Sequence, residues 1–289
     1  MSATDHFARE RGDTDAPPPR HMRRLTVVVD EPADSEPDAA IAEQTAAESS
    51  EVPERAGVVV RGPLLAVAGL CGGAGASTLA YLVAAHAARE RHGPVLVADT
   101  GGPSGGLSCY AGVAAPRSLS DAAEYVASGL PTGQLVATTD DGLRVLAAEP
   151  QFTLECARDG VQVLLDHARE RYALTVIDCG TLAREADQLA LAKASHVAWV
   201  LPATDSGVRR ARRVLDAASS YLLGRELIVA RHDERAPKTA VRELRRLAEH
   251  RPATLILLPS LPDLAGGHLD RALELAQVSL QAIAGVLAR

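Results

Sequence analysis

From residue 60 onward the chain alternates short, continuously apolar runs with longer stretches of helical periodicity. The runs Leu64–Ala68, Val95–Asp99, Leu143–Ala147, Leu174–Asp178, Val197–Leu201, Leu227–Ala230 and Thr254–Leu258 predict strands. Helical patterns fall between them, near 78–91, 119–128, 154–171, 184–194, 206–222, 238–249 and 265–288. A strand with one wet face alternates apolar and polar residues; these runs do not, so helices are expected on both faces of a mostly parallel sheet. The pattern predicts one three-layer α/β/α domain over residues 57–289, with ligands bound at the carboxyl ends of the strands.

Residues 1–56 read differently. They are rich in Asp, Glu, Pro, Ala and Ser and hold 13 acidic against 6 basic side chains. Such a composition cannot offset the entropy of ordering, so a disordered acidic tail is expected. Within it, Leu25–Val29 after Arg20, Arg23 and Arg24 is either a short partner-binding strand or part of the same linker. The net charge of −7 arises largely in this tail, leaving 24 acids and 24 bases for residues 57–289. A neutral body argues against a generally basic nucleic-acid surface. Cys71, Cys109, Cys156 and Cys179 form no C-x-x-C pair and no ligand spacing with the histidines, so neither zinc nor a disulfide framework is indicated. With no long apolar run and no apolar leader core, the expectation is a cytoplasmic protein without an integral membrane segment.

The strongest chemical signal is Cys71-Gly72-Gly73-Ala74-Gly75-Ala76-Ser77-Thr78, set between the first apolar run and a helical pattern. Strand, glycine turn and helix in that order make a phosphate-cradling loop: glycines curve the main chain, and the helix aims its unpaired N–H groups at an anion. Two more runs end in acids, Asp99 and Asp178. Asp178 either holds Mg²⁺ opposite the Ser77 hydroxyl or caps the following turn, whereas Asp99 is either a candidate catalytic carboxylate or the close of a strand before a flexible glycine-rich loop.

The loop resembles the deviant Walker A of the MinD/ParA family of P-loop ATPases, KGGxGK[ST][ST]. Cys71 and Ala76 stand at its two lysine positions, while Gly72, Gly73, Gly75, Ser77 and Thr78 agree. Within the family, GGxGA[ST]T is most similar to the CpaE/TadZ branch of Tad/Flp pilus machinery and to actinobacterial septum-site-determining proteins. The resemblance implies a P-loop NTPase fold, ATP or ADP with Mg²⁺, phosphate contacts from Gly72 to Thr78, and a metal held by Ser77 and Asp178. It also implies a homodimer with protein partners in a pilus, secretion or division assembly. Asp99 matches the first acid of the family's D-x-D-P-x-G; Gly101 occupies the second, so the water-orienting role has no evident holder.

Losing both lysines removes charge that stabilises the transition state of phosphoryl transfer, so at most slow hydrolysis is expected from a localisation or scaffold factor. Lys193 and Lys238 are the chain's two lysines, and neither lies in the loop. The alternative is a working ATP-driven switch, including a DNA-binding positioning protein of the ParA kind. For that alternative, Arg209, Arg210, Arg212 and Arg213, with Arg242, Arg245 and Arg246, are the candidate DNA surface; the other reading is a solvated, ion-paired face. The family's adenine-contacting Asn is replaced by Arg231 and His232. The last helix, with Leu273, Ala276, Leu280, Ile283 and Leu287 at helical spacing and little positive charge, is expected to pack on the core. Cys71 and Cys179 are expected near the loop, where they are either a redox pair or inert.

Overall fold

The computed structural model describes residues 61–90, 93–100, 106–113, 118–129, 135–146, 158–217, 224–232, 236–262 and 264–289. The acidic tail, the segment Arg20–Val29, Gly101 and Cys156 lie outside the described residues. The strands are β1 (Leu64–Gly69), β2 (Val95–Asp99), β3 (Ala137–Thr138), β4 (Arg144–Leu146), β5 (Leu174–Asp178), β6 (His196–Pro202), β7 (Glu226–His232) and β8 (Thr254–Pro259). They form one sheet in the order β3-β4-β2-β5-β1-β6-β7-β8. Every neighbouring pair is parallel except β3 with β4.

The helices are α1 (Ala76–Arg89), α2 (Gly106–Ala111), α3 (Leu119–Ala127), α4 (Arg158–Arg171), α5 (Glu185–Lys193), α6 (Asp205–Ala217), α7 (Lys238–His250) and α8 (Leu269–Leu287). The period of two along β1 sorts them into layers. Leu64, Ala66 and Ala68 face a core completed by α3 to α7, through residues such as Leu119, Leu165, Leu189, Leu215 and Leu244. Leu65 and Val67 face the other core, filled by Leu79 and Leu82 of α1, Leu107 of α2 and Leu280 and Ile283 of α8. All six residues of β1 are buried, which is why the run carries no polar alternation.

Local chemistry fixes several boundaries. Ser118 and Asp121 make a reciprocal capping box that starts α3, with the Asp121 carboxylate accepting from the Ser118 N–H at 3.0 Å. At the C-terminal helix the expected start at 265 is too early. A 3-10 turn, Leu264–Gly266, comes first, and Gly267 in a left-handed conformation (φ 80°) breaks it from α8. Leu273, Ala276, Leu280 and Ile283 are buried as expected, and no described helix is long and apolar enough to cross a membrane.

The flank beyond β1 is held by a buried ion pair. Arg251, at the end of α7, donates from Nε to Glu226 of β7 at 2.6 Å and from Nη1 to the Leu215 carbonyl of α6 at 2.6 Å. One guanidinium thereby joins α6, α7 and β7, with its charge matched inside the protein.

Candidate nucleotide site

β1 delivers the glycine loop to the carboxyl edge of the sheet, and its neighbours pin the loop on both sides. The Gly69 N–H donates to the Gly180 carbonyl at 2.7 Å, and the Leu70 N–H to the Val200 carbonyl at 2.8 Å. Gly73 (φ 69°) and Gly75 (φ 98°) take left-handed conformations. A side chain at either would meet no atom within 4 Å, so backbone conformation and not space requires glycine there. α1 starts at Ala76 with Gly75 as its cap, no side-chain cap bond and no acid in its first turn. Its N-terminal N–H groups and positive dipole end are thus available to an anion. They face a cavity of about 350 Å³ walled by Gly73, Ala74, Gly75, Ala76, Ser77 and Thr78 together with Cys71, Tyr110, Thr181 and Arg231. Gly72 stays solvent-exposed at the tip, whereas Ala74 and Ala76 are buried against the core.

The acids gather beside the loop. In the sheet register Asp99 of β2 pairs with Asp178 of β5, and Asp178 pairs with Val67 of β1. Asp178 is 1% exposed, and its carboxylate accepts hydrogen bonds from the Ser77 hydroxyl and, at 3.1 Å, from the Gly180 N–H. Burial pushes its pKa above the ordinary carboxylate range, while those two bonds oppose the shift. Thr100 ties the strand ends together, donating from its N–H and hydroxyl to the Asp178 carbonyl at 3.0 and 2.8 Å. Asp99 is likewise buried. A serine hydroxyl joined to a carboxylate is a hard-oxygen pair of the kind Mg²⁺ takes beside phosphate and water oxygens. The donor set therefore fits a magnesium nucleotide.

Two features of this site were not read from the sequence. No helical pattern was predicted between 91 and 119, yet Gly106–Ala111 form the helix α2, packed over the site. A Cβ at Gly106 would lie 3.3 Å from the Ser77 Cβ, and the Tyr110 ring sits 6.0 Å from that of Tyr81. Arginine also reaches the loop from the other flank. Arg231 of β7 donates from Nη1 to the Gly73 carbonyl at 3.2 Å, and Arg210 of α6 from Nε to the Leu70 carbonyl. Arg231 stood out in the sequence only as a departure from an expected asparagine. Nothing local signals that two strands of the sheet bring it to the loop.

The remaining candidates separate. Cys179 is fully buried in the core completed by α3 to α7, whereas Cys71 packs on the α1 side; both are free. The sheet lies between those cores, which argues against a thiol pair. Burial, with Asp187 and Asp178 nearby, pushes the Cys179 thiol well above its usual range, leaving it unreactive. In the arginine cluster, Glu243 of α7 pairs with both Arg212 of α6 and Arg246, while Arg210 turns to the loop. Arg209, Arg213, Arg242 and Arg245 are exposed. Lys193 pairs with Asp166 at 3.3 Å, away from the phosphate cavity.

No protein-family model and no curated protein matched this chain. Solved structures did. A ParA family ATPase from Chlorobium tepidum TLS superposes with a TM-score of 0.63 at 18% identity, covering 79% of this chain and 97% of that one. The MinC:MinD cell division protein complex of Aquifex aeolicus gives 0.58 at 17% identity, over 78% of this chain and 95% of the other. Cobyrinic acid a,c-diamide synthase from Mycobacterium smegmatis, with bound ATP analog and magnesium, gives 0.52 at 19% identity, over 73% and 92%. Identities this low establish architecture. The chain has the three-layer α/β fold of the ParA and MinD P-loop ATPases.

Proposed function

We propose that this protein is a MinD/ParA-like nucleotide-binding protein with impaired hydrolysis, which acts as a dimerising localisation or scaffold factor. The observation that carries the reading is the cavity at the start of α1: a phosphate loop of the right curvature, joined to a Ser77–Asp178 pair, with no lysine in the loop. Backbone N–H groups from Gly73 to Thr78 would hold the phosphates, and Ser77 and Asp178 the metal. Mg²⁺, when bound, neutralises phosphate charge. Ala76 offers the reacting phosphate no cation, and Gly101 offers an attacking water no carboxylate. Binding is therefore retained better than turnover. Asp99 is the remaining candidate for a catalytic carboxylate, buried next to Asp178.

Similar architectures in complex with MinC, and with an ATP analog and magnesium, support a protein partner and a magnesium nucleotide. The resemblance of the loop form Gly72-Gly73-Ala74-Gly75-Ala76-Ser77-Thr78 to the CpaE/TadZ and septum-site-determining proteins supports a proposed role in Tad/Flp-type pilus or secretion assembly, or in septum placement. The second reading, an active switch that binds DNA, rests on exposed Arg209, Arg213, Arg242 and Arg245. Sedimentation with and without Mg-ATP, with phosphate release followed in the same samples, separates the two. A dimer that retains unhydrolysed ATP is the expected result. Sustained turnover that DNA stimulates and Asp178→Ala abolishes would replace the scaffold with the switch.

A further inference from the structure

Among the described residues lining the phosphate cavity, Arg231 carries the one charged side chain. It arrives by a route that the sheet fixes. β7 pairs with β6 and β6 with β1, so Arg231 lies two strands from the loop, roughly 10 Å across the sheet. Its backbone carbonyl accepts from the Ala203 N–H at 2.9 Å, which holds the strand end in place. The side chain crosses the end of β6 and donates one N–H to the Gly73 carbonyl at 3.2 Å, beside the N-terminus of α1. A guanidinium has five donors in a planar fork that matches phosphate oxygens, so beyond its bond to Gly73 this cavity-lining arginine keeps capacity for a phosphate.

We infer that Arg231 supplies, from β7, the cation that the loop lacks, and that it makes the site selective for the charged phosphate chain of a nucleoside di- or triphosphate. This rests on the nucleotide-binding reading above. Arg231 binds and positions the phosphates from outside the loop; its bond to Gly73 aims it before ligand arrives.

The test is calorimetric titration of Mg-ATP and Mg-ADP, at two salt concentrations, into the full chain and its Arg231→Gln and Arg231→Lys variants. Glutamine keeps an N–H donor for Gly73 but removes the charge; lysine keeps the charge. The expected result is a loss of about tenfold in affinity for Arg231→Gln, the scale of a charge-assisted hydrogen bond at a partly exposed site. The salt dependence should flatten in the same variant, and Arg231→Lys should recover most of the binding. Arg231→Gln binding as tightly as the parent, or Lys and Gln variants equally weak with unchanged salt dependence, would overturn the inference and leave the nucleotide reading standing. A parent chain that binds neither nucleotide removes both.

Discussion

The two flanks of the phosphate loop carry opposite charge and are built in opposite ways. On one side β2 and β5 end in Asp99 and Asp178, both buried, with Asp178 held by bonds from Thr100 and Gly180. On the other, exposed Arg231 and Arg210 reach the carbonyls of Gly73 and Leu70 from β7 and α6. Metal-binding oxygens gain from a rigid, desolvated setting, whereas a long cation tolerates exposure because its stem can be aimed by one hydrogen bond. The loop lies between, formed by glycine backbone and a helix end. The loop itself carries no cation, and the nearest arginine bond to its glycines comes from β7, two strands away.

Releasing the cationic flank at its foot should have the largest effect. Glu226→Ala leaves the Arg251 guanidinium buried without its carboxylate partner, and should cost about 3–5 kcal/mol in urea unfolding. Because Arg251 also holds α6 through the Leu215 carbonyl, nucleotide affinity should fall with it. On the acidic flank, Asp178→Ala should weaken Mg²⁺-dependent nucleotide binding on the order of a hundredfold, about 2.7 kcal/mol by calorimetry.

The same carboxylate gives a smaller effect of opposite sign on stability. Burial raises the pKa of Asp178 and of Asp187, so the native state binds their protons more tightly than the unfolded chain does. That contribution is fully present below the unfolded-state value, near 3.8, and is lost as pH rises through the folded value. Asp178→Asn should therefore stabilise the fold at pH 7, by about 0.5–2 kcal/mol, and raise Tm accordingly, with the gain shrinking in thermal melts taken near pH 4. A site that becomes more stable as it loses its proposed metal ligand would mark function held at a cost. Least of all, Arg212→Ala breaks an exposed pair with Glu243 and should shift stability by no more than roughly 0.5 kcal/mol, since solvent screens it.

Much of this fold was legible because its strands are buried on both faces. Leu174–Asp178 and Val95–Asp99 are observed at their expected limits, and the glycine loop falls where strand and helix patterns meet. The two-residue strand β3, Ala137–Thr138, was missed because Ala137 is half-buried, Thr138 is exposed and two residues carry no periodicity. α2 was missed because glycines at 101–106 read as a turn, while its packing on Ser77 and Tyr81 is tertiary. Arg231 was visible as a residue but not as part of the site. Its placement depends on strand order, with β6 and β7 added beside β1, and strand order is not a local property of the chain.

A loop without lysine should still take a magnesium nucleotide. Calorimetric titration of Mg-ATP into the full chain tests it directly, alongside Asp178→Ala and with phosphate release recorded in parallel. Saturable binding in the micromolar range, weakened in the variant, with little or no phosphate released, is the expected result. No heat of binding at millimolar nucleotide would contradict it.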